Sequence, residues 1–398
     1  MPLLSHRIQS AVASPLRKYI PLAEAAKERG TSIYHLNIGQ PDLAIPEKMM
    51  KSIRAFDHKV LPYSHSAGIA ELRDAWAQYY QSYNIPFTRD DILVTTGGSE
   101  AMLFSLLAVC DPGDEIIVFE PVYSNYKMYA AMLNVVLVPV PCSAESGYHL
   151  PVRAEIEKRV SEKTRAILVV NPNNPTGTVY TDDELKTVVD IVNAHDLFLL
   201  ADETYREIVF DGETHRSLFS FEGVNPRAIM IDSVSKRFNI CGSRMGCIAS
   251  RNKDLITNML KAGQARLSPP TLDQYVILDL FPDVKEYTKR VCKIYEERRN
   301  VVLGILKSEP SIVTPHPKGA FYIMIGLPVA SADDFVKWML NDFSRNGKTT
   351  MVSPCEDFYI TPGKGKNEIR IAYVLETDQL KDAMEILVDG VREYQKNH

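Results

Sequence analysis

Short apolar runs alternate with longer amphipathic stretches in the middle of the chain. Seven segments have the continuous hydrophobic pattern of strands buried on both faces. These segments are Ile92–Thr95, Glu115–Phe119, Val135–Val140, Thr164–Val170, Leu197–Ala201, Ala228–Asp232 and Met245–Ala249. Between most of them apolar residues recur every three to four positions, which is typical of helices, as in Ser99–Cys110, Tyr123–Leu133 and Asp182–Ala194. The pattern predicts an α/β fold whose large domain is a three-layer α/β/α structure with a mostly parallel sheet.

The last third of the chain has a different pattern of apolar and polar residues. It contains one long amphipathic helix, two strand-like segments and a closing helix, which are Asp283–Ser308, Ala320–Ile325, Glu368–Val374 and Asp378–Tyr394. We therefore predict a smaller α+β domain made of residues 1–44 and 286–398, beside a large domain of residues 45–285. No Ser/Gly-rich linker separates them, so we expect close packing and a cleft between the domains, where ligands commonly bind.

Composition and charge narrow the class of protein. Hydrophobic residues make up 45% and charged residues 24% of the 398, which is typical of a globular chain. The net charge of −5 argues against nucleic acid or an anionic membrane as the partner, so a small molecule is expected. The apolar runs are too short to span a bilayer, and residues 1–14 lack the hydrophobic core of a secretory signal, so we predict a cytoplasmic protein. Six scattered cysteines without metal-ligand spacing predict free thiols and no metal site.

Polar residues follow three of the predicted strands at the point where each strand ends. They are the loop Asn171–Gly177, the carboxylate Asp202, and Lys236 within Asp232–Arg237. The carboxyl ends of parallel strands meet at one edge of a sheet, and ligands of open α/β sheets bind there. A desolvated lysine at such an edge can act as an amine nucleophile. Each feature also has a simpler interpretation when it is taken alone: the loop as a rigid turn, Asp202 as a helix cap, and Lys236 as a solvated surface lysine.

A second set of residues is suited to an anion. Thr95–Ser99 combines a strand end, a glycine turn and a helix start, which directs backbone N–H groups and the positive helix end at a bound anion. Arg244, in a turn with glycines on both sides, can add a two-pronged clamp for phosphate. The chain lacks the GxGxxG and GxxxxGK[ST] patterns, so neither a dinucleotide nor a nucleoside triphosphate is indicated.

Together these segments resemble the fold-type I pyridoxal-phosphate enzymes, and specifically the class I/II aminotransferases of the aspartate aminotransferase type. The resemblance extends over nearly the whole chain, because matching motifs occur in the family's order from Asn37 to Arg370. The motifs are Asn37-Ile38-Gly39-Gln40-Pro41-Asp42, Tyr63 with Gly68 and Leu72-Arg73, Pro112-Gly113-Asp114, Asn171 to Gly177, Ala201-Asp202-Glu203-Thr204-Tyr205, Ser233-Val234-Ser235-Lys236, Arg244 and Ile369-Arg370-Ile371.

The resemblance implies that the catalytic residues are Lys236, Asp202 and Tyr205. Lys236 would hold pyridoxal 5'-phosphate as an imine and move the proton between the substrate Cα and the cofactor. Asp202 would keep the pyridine nitrogen protonated, while Tyr205 and Asn174 would bond the phenolic oxygen. Tyr123 matches the position that stacks on the cofactor ring, although core packing is an alternative role for it.

The resemblance also implies a phosphate site and a dimer. Gly98 and Ser99 would bind the phosphate through backbone groups, with Ser233 and Arg244 as further donors. The tyrosine at position 63 would reach the phosphate of the neighbouring subunit, so the family pattern implies a homodimer with shared active sites.

For the substrate, the resemblance implies that Arg370 grips the α-carboxylate, with Gly39 and Asn174 bordering it. Some dicarboxylate-specific relatives carry a lysine in the glycine-turn segment, where this chain has Ser99 and Glu100. Arg17 is an alternative cation for a distal carboxylate, and the nearby Tyr19 and Tyr34 would equally suit an aromatic or aliphatic substrate. Side-chain specificity therefore stays open at this point.

The resemblance thus implies an aminotransferase that exchanges an amino group between an L-α-amino acid, aspartate or a broad range including aromatic ones, and a 2-oxo acid by a ping-pong mechanism. A C–S β-lyase or a cyclopropane-carboxylate synthase of the same fold would use the same lysine and arginine. A transcriptional regulator with this fold is disfavoured, because no room is left for a DNA-binding domain and the chain is mildly acidic. Retention of Lys236, Asp202, Tyr205, Arg244 and Arg370 argues against an inactive homologue.

Overall fold

In the computed structural model, residues 2–10 and 17–397 are described, and this part of the chain forms twelve β-strands and fourteen α-helices. The strands are β1 Ser32–His35, β2 Ile92–Thr95, β3 Glu115–Glu120, β4 Val136–Pro141, β5 Thr164–Val170, β6 Phe198–Asp202, β7 Ala228–Ser233, β8 Gly246–Ala249, β9 Tyr322–Gly326, β10 Lys348–Met351, β11 Ser353–Pro354 and β12 Glu368–Ala372. The helices are α1 His6–Ser10, α2 Ile20–Glu28, α3 Glu47–Ala55, α4 Ala70–Gln81, α5 Gly97–Val109, α6 Asn125–Leu133, α7 Arg153–Glu157, α8 Asp182–Ala194, α9 Val234–Arg237, α10 Lys253–Arg266, α11 Thr271–Leu278, α12 Val284–Leu306, α13 Ala332–Asn341 and α14 Thr377–Asn397.

A seven-stranded sheet lies at the centre of the fold, with strand order β2-β8-β7-β6-β5-β3-β4. The pairs β3–β4, β3–β5, β5–β6 and β6–β7 are parallel, and β8 runs antiparallel to both β7 and β2. Each predicted strand ends within one residue of the observed one. The predicted α/β class with a mostly parallel sheet is confirmed.

Both faces of this sheet are buried, as continuous apolar strands require. In β6, Leu199 belongs to the apolar cluster on one face, with α4 and α8, while Leu200 belongs to the cluster on the other face, with α5 and α10. Both leucines are fully buried. The three-layer arrangement follows, because successive side chains of a strand point to opposite faces.

The C-terminal segment adds two smaller sheets around a separate apolar core. Strands β11, β12 and β9 form an antiparallel sheet in that order, and β1 pairs in parallel with β10. The pairing of Ile33 with Thr349 joins the N-terminal part of the chain to its C-terminal part. The sequence pattern did not predict β1 and β10, because both are short, contain polar residues, and are stabilised by a partner distant along the chain.

The two longest helices, α12 and α14, turn one apolar face to this second core. In α12 the buried positions include Val291, Tyr295 and Val302, which are four and seven residues apart and so share one face, while most of its charged residues remain on the surface. Across residues 2–10 and 17–397, no helix has the length and apolar character needed to cross a membrane.

The parallel strands β5, β6 and β7 end side by side. Val170 pairs with Asp202, and Asp202 pairs with Ile231. The N–H of Asn171 donates to the carbonyl of Asp202 across 3.0 Å, which continues the ladder past the end of β5. The chain therefore leaves three neighbouring strands at one edge of the sheet, and this edge holds the polar residues predicted to meet there.

Loss of a buried methyl pair in β5 should destabilise the fold. Val169 is 1% exposed, and we expect Val169→Ala to lower the free energy of unfolding by about 2 kcal/mol, because two buried carbons and their packing contacts are lost. Val152 is 72% exposed, and Val152→Ala should change the free energy of unfolding by less than about 0.5 kcal/mol. Chemical denaturation of both variants measures the difference, and equal effects would contradict the assigned layers.

Candidate active site

A cavity of about 290 Å³ lies beyond the carboxyl ends of β5, β6 and β7. Eleven of the twelve site residues expected from the sequence line it, namely Gly39, Gly98, Ser99, Tyr123, Asn174, Asp202, Tyr205, Ser233, Lys236, Arg244 and Arg370. Further lining residues that sequence reasoning did not single out are Ile38, Met102, Tyr126, Tyr129, Val170, Thr204, Ser235, Cys241 and Tyr322. The structure thus brings an amine, a carboxylate, two guanidinium groups and several phenols to one small space.

Lys236 enters the cavity from α9, a single helical turn that directly follows β7. Its Nζ donates to the carbonyl oxygen of Gly39 at 2.7 Å and to Sγ of Cys241 at 3.3 Å. The ring centre of Phe321 lies 5.6 Å from Nζ, within the range of a cation–π contact. These contacts hold the amine in one place while it still borders the cavity.

Gly39 allows this arrangement because it has no side chain. A Cβ at this position would overlap the hydroxyl group of Tyr322. Glycine therefore lets the backbone pass close to Tyr322 while its carbonyl accepts from Lys236.

Asp202 is the final residue of β6 and carries the one carboxylate among the described residues that line the cavity. Its Oδ2 accepts from the hydroxyl of Tyr126 at 2.6 Å, and its Oδ1 accepts from the N–H of Thr204 at 3.1 Å. Burial raises the pKa of Asp202, and these two hydrogen bonds act in the opposite direction. The two donors therefore favour the charged form of this carboxylate, which lies at the base of the cavity.

Tyr126 was missed by sequence reasoning although a signal existed. Tyr123, Tyr126 and Tyr129 are spaced by three, so they share one side of the segment that leads into α6. The Tyr123 and Tyr126 rings pack edge to face with centres 5.5 Å apart. Knowing that Tyr123 borders the site would have been enough to suggest the other two.

Arg370, in β12, reaches the cavity from the three-stranded antiparallel sheet and is only 1% exposed. Its Nη2 donates to the carbonyl of Asn37 at 2.9 Å and its Nη1 to Oδ1 of Asn174 at 3.1 Å. The guanidinium carbon lies 4.5 Å from the ring centre of Tyr322. Within the described part of the chain no carboxylate pairs with Arg370 and its Nε has no hydrogen-bond partner, so this buried cation is available to an anionic ligand.

Tyr205, three residues after the end of β6, faces Tyr322 in β9. Their hydroxyl groups share a hydrogen bond of 3.0 Å. Burial raises the pKa of Tyr205 well above its usual value, and the nearby Tyr322 hydroxyl adds to this effect. The Tyr205 phenol is therefore neutral at physiological pH and can donate a hydrogen bond to a ligand oxygen.

The other end of the cavity is built for an anion. Helix α5 begins at Gly97, and no side chain caps its first N–H groups, which include those of Gly98 and Ser99. Arg244 adopts a left-handed backbone conformation with φ of 55°. A Cβ at Gly97 would lie 2.7 Å from Nη2 of Arg244, so glycine lets the guanidinium approach the helix start. Ser233 adds a hydroxyl group, which donates to Oγ of Ser235 at 2.8 Å.

Tyr63 is the expected site residue that does not line this cavity. It lies on the surface of its own chain and is 77% exposed. That position is compatible with the expected contact to a neighbouring subunit.

The side chains considered for a distal substrate group also lie elsewhere. Arg17 is exposed and does not line the cavity. Tyr19 donates to Asp333, and Tyr34 donates to Asp382 at 2.7 Å. Glu100, which stands where some relatives have a lysine, pairs with Arg266 at 2.7 Å. No group of three or more His, Cys, Asp or Glu residues in the described ranges is arranged to hold a metal ion.

Comparison with known proteins agrees with this geometry. Residues 31–387 match the family described as aminotransferase class I and II. The chain is 30% identical over 398 residues to aromatic-amino-acid aminotransferase 2 of Thermococcus litoralis, with 98% of each chain covered. It is 29% identical over 399 residues to an aspartate aminotransferase of Pyrococcus abyssi, again with 98% of each chain covered.

Solved structures show the same fold. The aspartate aminotransferase of Thermus thermophilus, solved as a single mutant, superposes with a TM-score of 0.89 at 26% identity. An alanine aminotransferase from Pyrococcus furiosus gives a TM-score of 0.90, also at 26% identity. In both cases 98% of this chain and 100% of the other chain are covered.

The sheet, the cavity at its carboxyl edge and these matches define a fold-type I transferase. The chain belongs to the aminotransferase class I and II family, and it is an aminotransferase.

Filling the space beside Gly39 should impair the enzyme. Gly39→Ala would push the Tyr322 hydroxyl aside and disturb the carbonyl that holds Lys236, so we expect kcat/KM for transamination to fall by at least about tenfold. Gly304 lies within α12 and has open space around it, so Gly304→Ala is a matched control that should change kcat/KM less than about twofold. Equal activity of the two variants would show that the contact with Tyr322 has no role.

Proposed function

We propose that this aminotransferase uses pyridoxal 5'-phosphate, bound through Lys236, to exchange the amino group of an L-α-amino acid with a 2-oxo acid in a ping-pong reaction. The observation that carries the proposal is the convergence of the Lys236 amine, the Asp202 carboxylate and the Arg370 guanidinium on one cavity. When bound, pyridoxal phosphate supplies an aldehyde carbon for the amino group and a ring that withdraws electrons from the substrate Cα.

The anion end of the cavity fits a phosphate. The free N–H groups of Gly98 and Ser99 lie at the positive end of a 13-residue helix, and the Arg244 guanidinium adds donors. The Ser233 hydroxyl would add one more by turning its proton from Ser235 to the phosphate. The missing side chain at Gly97 leaves the space in which the guanidinium approaches the helix start. These residues would bind the phosphate and fix the position of the rest of the cofactor.

The base of the cavity fits a protonated pyridine ring. Asp202 would accept from the ring N–H and hold the proton there by its negative charge. Tyr126 would support Asp202 through their hydrogen bond of 2.6 Å. Tyr205 and Asn174 would donate to the phenolic oxygen, and Tyr123 would pack on the ring face.

Lys236 would perform two tasks with the same nitrogen. Its Nζ, held by Gly39 and Cys241, would first bond the cofactor and, once displaced by the substrate amine, carry a proton between the substrate Cα and the cofactor C4′. A single lysine would be sufficient for both tasks, because each would use the same nitrogen held at the same place in the cavity.

Arg370 would orient the substrate. Its two terminal nitrogens are directed at the cavity edge by Asn37 and Asn174, a geometry suited to the two oxygens of an α-carboxylate. Gly39 would border the same carboxylate through its backbone.

The substrate side chain is proposed to be that of aspartate or one of a broad range including aromatic residues. The relatives named above act, by their names, on aromatic amino acids and on aspartate. Among the described residues the basic groups lining the cavity are Lys236, Arg244 and Arg370, which already have roles, while Ile38 and Tyr129 offer apolar surface. A distal carboxylate would therefore need a cation from elsewhere in the assembly.

A homodimer with shared sites is part of the proposal. Tyr63 and the neighbouring Val60 and Leu61 are exposed large side chains on the same segment, at 77%, 72% and 54%. Burial of this segment against a second copy would bring Tyr63 towards the partner's phosphate site. We further propose that residues 45–285 form the cofactor-binding domain and that residues 1–44 and 286–398 form the smaller domain, which contributes Arg370.

Removal of the Lys236 amine tests the assignment of the nucleophile. Lys236→Ala should still bind pyridoxal phosphate through the phosphate site, yet show no covalent attachment after borohydride reduction and no measurable transamination. Lys186→Ala removes an exposed lysine of α8 and should behave like the parent. Absorption spectra and peptide mass spectrometry of both variants provide the readout, and normal turnover by Lys236→Ala would refute the assignment.

Arg370→Lys tests the α-carboxylate site. A lysine keeps the charge but loses the paired hydrogen bonds, so KM should rise about 10- to 100-fold for every amino acid alike. Arg392→Lys, on the surface of α14, is the control and should leave KM unchanged. An effect confined to dicarboxylic substrates would mean that Arg370 binds the distal carboxylate instead.

A further inference from the structure

Directly behind the active-site lysine lies a buried ion triad formed by Asp232, Arg237 and Glu207. Arg237 Nη2 donates to Oδ2 of Asp232 at 2.6 Å, and Arg237 Nε donates to Oε1 of Glu207 at 2.8 Å. The side chains of Asp232 and Arg237 are 0% exposed and that of Glu207 is 3% exposed. The triad does not line the cavity, so none of its members is expected to touch substrate.

The triad links the segment that carries Lys236 to the segment that carries Tyr205. Asp232 precedes and Arg237 follows the segment Ser233–Lys236, so their contact closes a loop around the lysine. Glu207 stands two residues after Tyr205, on the segment that leaves β6. The guanidinium therefore links the lysine segment to the tyrosine segment at fixed hydrogen-bond distances.

The surroundings hold the triad in one geometry. Asp232 also accepts from the N–H of Ser233 at 2.6 Å and from the hydroxyl of Tyr80 at 2.8 Å. The guanidinium carbon of Arg237 lies 4.2 Å from the ring centre of Tyr79 and 4.8 Å from that of Trp76. The rings pack on the guanidinium while two carboxylates accept from its nitrogens, so the planar group has little freedom to rotate.

Stability alone is a weak reason for such a cluster. Burying three charges has a large desolvation cost, and replacing a buried ion pair with apolar side chains is often neutral or stabilising. Burial raises the pKa of Glu207, and the bond from Arg237 opposes this change. What the triad supplies, and an apolar patch would not, is a directional connection between two catalytic segments.

We propose that Arg237 is a positioning residue, which fixes Lys236 relative to Tyr205 through its bonds to Asp232 and Glu207. The inference rests on the proposed function, since it takes Lys236 as the residue that bonds pyridoxal phosphate. It predicts that loss of the guanidinium lowers the rate of proton transfer by Lys236 more than it weakens substrate binding.

Arg237→Gln in the protein loaded with pyridoxal phosphate tests the proposal. Arg299→Gln is the matched control, because Arg299 is also a buried arginine, 1% exposed, with a bidentate bond to Asp211 and a ring contact to Phe210. We expect Arg237→Gln to lower kcat by at least about tenfold with KM changed less than about threefold, and to weaken the induced circular dichroism of the bound cofactor. Arg299→Gln should lose thermal stability but keep both kcat and the dichroism of the parent.

The outcomes separate three accounts. Parent-like kcat and dichroism in Arg237→Gln, with only a lower melting temperature, would overturn the positioning role. If Arg237→Gln does not fold, Arg237→Lys compared with Arg299→Lys decides the matter, because lysine keeps the charge but not both bonds. Equal kcat in that second pair would likewise overturn the proposal. Failure of the parent itself to bind pyridoxal phosphate would refute the proposed function instead.

Discussion

The site depends on the parallel register of β5, β6 and β7. Val170, Asp202 and Ile231 pair side by side, so the three strands end at the same edge of the sheet. The residues that follow each strand in sequence therefore lie close together. The sheet alone therefore makes three features neighbours: the loop that carries Asn174, the carboxylate of Asp202, and the turn that carries Lys236. The three-stranded sheet then completes the cavity with Arg370 from β12 and Tyr322 from β9.

The charged side chains that line the cavity indicate which ligands it suits. Among the described lining residues there are three basic side chains, those of Lys236, Arg244 and Arg370, and one acidic side chain, that of Asp202. This excess of positive charge favours a ligand pair that brings a phosphate and a carboxylate. Asp202 is the exception, and Tyr126 and Thr204 donate to it because a carboxylate in a buried site is otherwise driven towards its neutral form. One end of the cavity is thus suited to anions and its base to a cationic ring nitrogen.

The sequence was most informative where structure is local. Continuous apolar runs predicted the seven central strands, and the residues shortly after β2, β5, β6 and β7 supply much of the cavity lining. Long-range pairing was not predictable in this way: β1 and β10 are short and partly polar, and each becomes a strand only beside the other. Tyr322 was missed for the same reason, since only the folded chain shows its hydroxyl beside Tyr205 and its ring beside Arg370. The expected role of Tyr63 involves a second subunit and so stays a prediction.

In the proposed reaction the amino group is held on the cofactor between two half-reactions. The most direct measurement is an absorption titration of the protein loaded with pyridoxal phosphate, with a single amino acid as donor and no 2-oxo acid present. The account predicts conversion of one cofactor to its pyridoxamine form for each 2-oxo acid released, with aspartate or an aromatic amino acid as the most effective donor. Release of ammonia and pyruvate while the cofactor remains unconverted would contradict it and identify a β-elimination enzyme.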